Sequence, residues 1–136
     1  MGDHTCDGYC KRPGLAGPLG DALYEPLMFV YGTGSRAETV LAKRIIAGIR
    51  RPWSGVTVDW PVKADSEVTE ADISTHSLVL VGTPRNHRIL RRIANDLPIK
   101  VAKDGVTVGS EKLPGNHLSA AFIHPNPLNP KRYVVV

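Results

Sequence analysis

The chain has 136 residues, 42% hydrophobic and 22% charged, with a formal net charge of +4 and a pI near 9.3. That size holds one domain with a real core and needs no disulfide or metal staple, and the composition excludes disordered and collagen-like classes. No apolar run reaches the roughly 20 residues of a membrane helix, and the start Met1-Gly2-Asp3-His4 carries no apolar signal core, so the sequence assigns no compartment and leaves export open.

The basic balance permits attraction to anionic partners. However, Lys and Arg are spread over helical faces, and only Lys131-Arg132 directly precedes an aromatic, Tyr133. That distribution argues against nucleic-acid recognition. His4, Cys6 and Cys10 make a His-x-Cys-x3-Cys pattern. Three ligands with no second Cys pair fall short of a tetrahedral zinc set. The two thiols read as free or as one local disulfide, depending on the redox environment, and no metal is expected.

In chain order, residues 1–25 read as an extended Gly/Pro-rich arm, because Arg12-Pro13-Gly14-Leu15-Ala16-Gly17-Pro18 offers neither helix nor inner strand. Residues 26–136 read as a single α/β domain. Leu27 to Tyr31 is a continuous apolar run, the signature of a strand buried on both faces. A helix is expected from Arg36 to Arg51, capped by Ser35 in a box with Glu38. Its buried stripe should be Leu41, Ile45 and Ile49, widened by Val40, Ala42 and Ile46. Pro52 and Gly55 should end it. Val56 to Val62 alternates as a second strand with Pro61 near its end or at an edge, and Thr69 to Ile73 is a short capped turn of helix.

Ser77 to Val81 is the clearest strand, again ending at a glycine, Gly82. A helix should start at Thr83-Pro84, with Ile89, Leu90, Ile93, Ala94 and Leu97 inward and Arg85, Arg88, Arg91 and Arg92 outward. Lys100 to Gly109 reads as a hairpin around Asp104-Gly105. Ala120 to His124 and Arg132 to Val136 are further strands, separated by an irregular Pro125-Asn126-Pro127-Leu128-Asn129-Pro130 loop. Strand–helix alternation implies parallel strands with right-handed crossovers. The expected fold is a small three-layer Rossmann/flavodoxin-like sandwich with a mainly parallel sheet and an antiparallel C-terminal hairpin portion.

Gly32-Thr33-Gly34-Ser35-Arg36-Ala37 fits Gly-x-Gly-x-x-Gly/Ala between a strand and a helix. Glycines admit close approach, and amides at a helix start attract anions. The same residues equally make a tight turn into a capped helix. A dinucleotide site also wants an acidic residue about 20 positions on; Asp59 and Asp65 are near but neither is cleanly placed. Gly82-Thr83-Pro84-Arg85-Asn86-His87 is a second such turn. Were the two strands neighbours, Gly32, Thr33, Gly34, Ser35, Gly82, Thr83, Asn86 and His87 would line one crevice. There His87 could titrate near neutrality, or it could be a solvent-exposed residue in a helix's first turn. His124 reads as a hydrogen-bond partner of the loop after it, and His76 and His117 lie in polar stretches. No Gly-x-Ser-x-Gly elbow, phosphate-loop Lys or His-Glu-x-x-His occurs, so no catalytic residue and no cofactor is assigned.

Several segments together carry a resemblance. They are Lys11 to Pro18 with Asp21-Ala22, Phe29 to Thr33, Val68 to Ile73, Ser77 to Asn86, Leu97-Pro98-Ile99, and Pro125 to Tyr133. The set, spanning residues 11–136, resembles the region C-terminal to the α/β-hydrolase domain in large bacterial serine peptidases or esterases of the prolyl-oligopeptidase family. The resemblance implies an accessory domain whose catalytic set belongs to a neighbouring hydrolase domain, in cis or in trans. Two alternatives stay open. One is a nucleotide- or phosphate-binding domain using the two glycine turns. The other is an interaction module docking through the N-terminal arm and a bare terminal strand.

Overall fold

The computed structural model describes residues 19–50, 59–116 and 118–136. Cys6, Cys10, His117, residues 1–18 and the expected helix stop at residues 52–55 lie outside them. The chain is mixed α/β. A mainly parallel five-stranded sheet has the order β2 (Val62–Ala64), β1 (Leu27–Tyr31), β3 (Ser77–Val81), β8 (Asn129–Val135), β7 (Ile123–Asn126), and a separate antiparallel sheet has the order β4 (Ile99–Ala102), β5 (Gly105–Val108), β6 (Glu111–Pro114).

Strands β1 (Leu27–Tyr31) and β3 (Ser77–Val81) form the centre, paired in parallel over five residues from Leu27↔Ser77 to Tyr31↔Val81. Their continuous apolar runs have the expected cause, since a helix layer covers each face. On one face Met28, Val30, Leu78, Leu80 and Val134 pack against Ile73, Ile89, Leu90, Ile93 and Leu97. On the other, Leu27, Phe29, Val79 and Tyr133 pack against Ala22 and Ile46.

Helix α1 (Arg36–Ile49) is capped by Ser35, whose side chain accepts from the Glu38 amide. The reciprocal half of the expected box is replaced, because Glu38 Oε2 accepts instead from Thr83 Oγ1 at 3.2 Å. The stripe also differs from expectation: Ala42 and Ile46 are the buried residues, while Leu41, Ile45 and Ile49 are 56%, 43% and 51% exposed. α1 rests on the sheet by the Ala42–Ile46 side, and its Leu-Ile-Ile row overhangs beyond β3.

Helix α2 (Glu70–Thr75) forms as expected, with a complete capping box between Thr69 and Asp72. Asp72 also takes the Lys63 ammonium at 2.8 Å, fixing α2 to β2. Strand β2 (Val62–Ala64) starts later than expected. Within the described part of the expected strand, Asp59 to Pro61 lies before it, and the Pro61 carbonyl accepts the Phe29 amide.

Helix α3 (Arg88–Ile93) is shorter than expected. Residues 83–87 form a turn in which Asn86 and His87 amides donate to the Thr83 carbonyl. A 3-10 turn, Ala94–Asp96, continues it. The last part of the expected extended arm is likewise a 3-10 helix, Leu19–Tyr24, because Ala22 drops into the core. Glu25 just after it bonds the buried Ser77 hydroxyl and the Arg132 guanidinium.

The expected hairpin is β4 (Ile99–Ala102) with β5 (Gly105–Val108), extended by an unanticipated β6 (Glu111–Pro114). The Pro-Asn loop is tighter than expected. β7 (Ile123–Asn126) and β8 (Asn129–Val135) absorb most of it, and Asn126 Oδ1 accepts from the Leu128 amide to make the turn. β8 lies between β3 and β7 with Tyr133 and Val134 buried, so the terminal strand is interior rather than bare. Among the described residues no helix is long and apolar enough to cross a membrane.

Candidate functional site

The two glycine turns do meet. Parallel pairing of β1 and β3 sets Gly32–Ser35 against Gly82–His87 at the carboxyl ends of the central strands, where ligands bind in open α/β sheets. The contact between them is intimate. The Gly34 amide donates to the Asn86 carbonyl at 2.9 Å. A Cβ on Gly32 would stand 2.5 Å from Asn86 O, and one on Gly34 2.9 Å from Asn86 Cα. These glycines let one loop lie on the other. Gly82 is needed for conformation, with φ at +151°.

Asp65, directly after β2, is the acidic residue of this crevice. It accepts from Thr33 Oγ1 at 2.7 Å and from the Arg88 amide at 2.6 Å. Burial pushes its carboxyl up, but these hydrogen bonds and the nearby His87 outweigh that and hold it below the usual carboxylate range. Asp59 instead pairs with Arg50 on the surface.

His87 is fully buried, contrary to the expectation of an exposed first-turn residue. It is the N-cap of α3. Its Nδ1 accepts from the Leu90 amide at 3.4 Å, and Nε2 contacts the Val30 carbonyl at 3.3 Å. An amide can only donate and a carbonyl only accept, so the ring is the neutral Nε2–H tautomer. Burial lowers its pKa below the ordinary 6.5, against the opposing pull of the Val30 carbonyl and the Asp65 charge. Neither nitrogen is left to act as a base.

The remaining hydroxyls are engaged in the same way. Thr33 serves Asp65, Ser35 caps α1 and Thr83 serves Glu38. Elsewhere, Thr75 Oγ1 lies 2.9 Å from His76 Nδ1, but that hydroxyl also reaches the Ala71 carbonyl at 2.7 Å within the last turn of α2. Among the described residues no three His, Cys, Asp or Glu side chains cluster as a metal site. His124 Nδ1 lies 2.7 Å from the Pro125 carbonyl, in the loop region anticipated for it.

A second concavity is apolar. A groove of about 570 Å³ opens between the overhanging row of α1, the ends of β3 and β8, and residues 97–101 and 118–122. That volume is in the range of ligand and peptide pockets. Leu41, Ile45, Ile49, Val79, Val81 and Phe122 are among its walls, and Glu38 and Lys100 are its charged members. This groove has no direct sign in the sequence, because its α1 wall has the same four-residue spacing as a core stripe. No family model, curated protein or solved structure proved similar enough to this chain to be matched with it.

Proposed function

We propose that this chain is a non-catalytic accessory domain serving an α/β-hydrolase of the peptidase or esterase type, in the same polypeptide or as a separate chain. It would act by binding, not by bond chemistry. The observation that carries the reading is a contrast. The polar crevice at the strand ends is closed by its own hydrogen bonds: Thr33 donates to Asp65, His87 Nε2 meets the Val30 carbonyl, and His87 Nδ1 accepts from the Leu90 amide. The apolar groove beside it is open. An open apolar surface of this kind marks a site of contact with a partner or a ligand. The resemblance over residues 11–136 supplies the kind of partner.

The order β2-β1-β3 with parallel pairing, and apolar layers on both faces, support a Rossmann/flavodoxin-like sandwich, with β7 as an antiparallel edge. A nucleotide or phosphate site on the glycine turns has less behind it. The Gly34 amide already donates to Asn86, and the Glu38 and Asp65 carboxylates bound to Thr83 and Thr33 would repel an anion.

The test is kinetic. The purified chain should hydrolyse neither p-nitrophenyl esters nor prolyl peptides above the buffer rate. Turnover that disappears in Thr33→Val or His87→Asn would overturn the proposal.

A further inference from the structure

We propose that an arginine face at the start of α3, formed by Arg85, Arg88 and Arg91, binds a carboxylate-rich segment of the partner polypeptide. The donor rests on the accessory-domain reading, but the surface itself follows from the side chains of this one turn and helix.

Arg91 shows how the face is built. Its Nε donates to the Pro84 carbonyl at 3.2 Å and its Nη2 to the Arg85 carbonyl at 2.9 Å. The guanidinium is thus folded back over the turn before α3, beside Arg85, and Arg88 stands one helical turn earlier on the same side. Two neutral carbonyls hold the group in place without neutralising it, and they leave Nη1 unused. A long side chain fixed beforehand lowers the ordering cost of binding. Arg85 and Arg88 are exposed, and among the described residues neither pairs with a carboxylate. The carboxylates of the neighbouring β2–α2 segment are engaged elsewhere. Asp65 is buried and takes the Thr33 hydroxyl and the Arg88 amide, Glu67 takes the Ala64 amide, and Glu70 pairs with Arg92. Three like charges therefore share one exposed surface with no counter-charge from the described residues.

Guanidinium forks match carboxylates and phosphates alike, and the surroundings favour the carboxylates of a polypeptide. No large apolar or aromatic side chain is exposed among residues 59–100. Bases therefore find no stacking platform on this face, and a bilayer finds no apolar anchor. Tyr24, the exposed aromatic among the described residues, precedes β1 and so lies at the opposite end of the parallel strands from the turn after β3. A surface of this kind selects its partner by charge and gives fast, salt-sensitive association. The segment that fits carries several Asp or Glu residues and few apolar ones.

The experiment titrates the full chain against a blocked, fluorescein-labelled peptide of alternating Glu and Ser, followed by anisotropy at low ionic strength, with the Gln/Ser peptide carrying the same label as control. Saturable binding of the Glu peptide alone is expected, weakening as salt is added. Arg85→Gln/Arg88→Gln should weaken it about tenfold or more. Arg44→Gln/Lys103→Gln removes the same charge from exposed positions elsewhere and should leave it within about twofold. Arg91→Lys keeps the charge but not the fork, and should weaken binding about threefold or more. No saturable binding, equal losses in the two double variants, or unchanged affinity in Arg91→Lys would each overturn the proposal. So would oligothymidine or phosphatidylserine vesicles that bind through the same arginines when the peptide does not, since the face would then serve phosphates. The assay contains no hydrolase, so its failure removes the arginine site alone, whereas esterase turnover by the chain removes the accessory reading alone.

Discussion

His87 combines two duties that usually fall to different residues. Its Nδ1 caps α3, as Ser or Asn would, and its Nε2 contacts the Val30 carbonyl in the core. Protonation removes the capping acceptor and places a charge where water is absent. Because its folded pKa lies below 6.5, the unfolded chain binds more protons as the pH falls under that value, and stability falls with it. Urea midpoints should therefore drop between pH 7 and pH 5, and His87→Asn, which keeps a capping acceptor, should flatten that decline. Asp72 works at lower pH. The hydrogen bond from Lys63, with those from Thr69, holds its carboxyl at about 2. Its contribution is complete above the ordinary 3.8 and is lost as the pH falls through about 2, so Lys63→Met should make the loss in acid shallower. The glycine turns give a third expectation. Gly32→Ala should cost about 1–3 kcal/mol through overpacking against Asn86, with no ligand present. An unchanged urea midpoint would mean the loops are not held together as described.

At the scale of elements, α1 is the informative case. Ile45 and Ile46 are neighbours in sequence with opposite fates. Ile46→Ala should destabilise by about 2–5 kcal/mol, as large-to-small core changes do, whereas Ile45→Lys should stay within about 0.5 kcal/mol. Equal losses in chemical denaturation would mean that the overhang is packed after all. β1, β3 and α2 were legible in the sequence because each carries its signal locally, in unbroken apolar runs or in the Thr69–Asp72 box. The exposed row of α1 was misread because spacing reports that a face is apolar without saying what covers it. β6 was missed because Glu111-Lys112-Leu113-Pro114 has no alternation and is held by pairing to β5. The placement of β8 beside β3 depends on a contact 56 residues apart, from the Tyr133 amide to Ser77 Oγ, which no local window contains.

For the whole molecule, the same two loops that the sequence marked as a candidate site were brought together by the fold. The crevice residues Thr33, Ser35, Thr83, Asn86 and His87 lie on these two loops, and Asp65 joins them, yet the side chains of Thr33, Ser35, Thr83 and His87 already have partners within the chain. A Gly-x-Gly turn admits close approach by any backbone, and sequence cannot distinguish a ligand from the chain's own Asn86. The accessible surface chemistry lies instead in the groove beside β3. The most direct measurement of that claim is binding of the apolar dye ANS to the native chain, comparing Leu41→Lys/Ile45→Lys in the groove with Thr33→Val in the crevice. Saturable fluorescence at neutral pH is expected, lost in the groove variant and kept in the crevice variant. No binding to the folded chain, or binding that only the crevice variant disturbs, would contradict it.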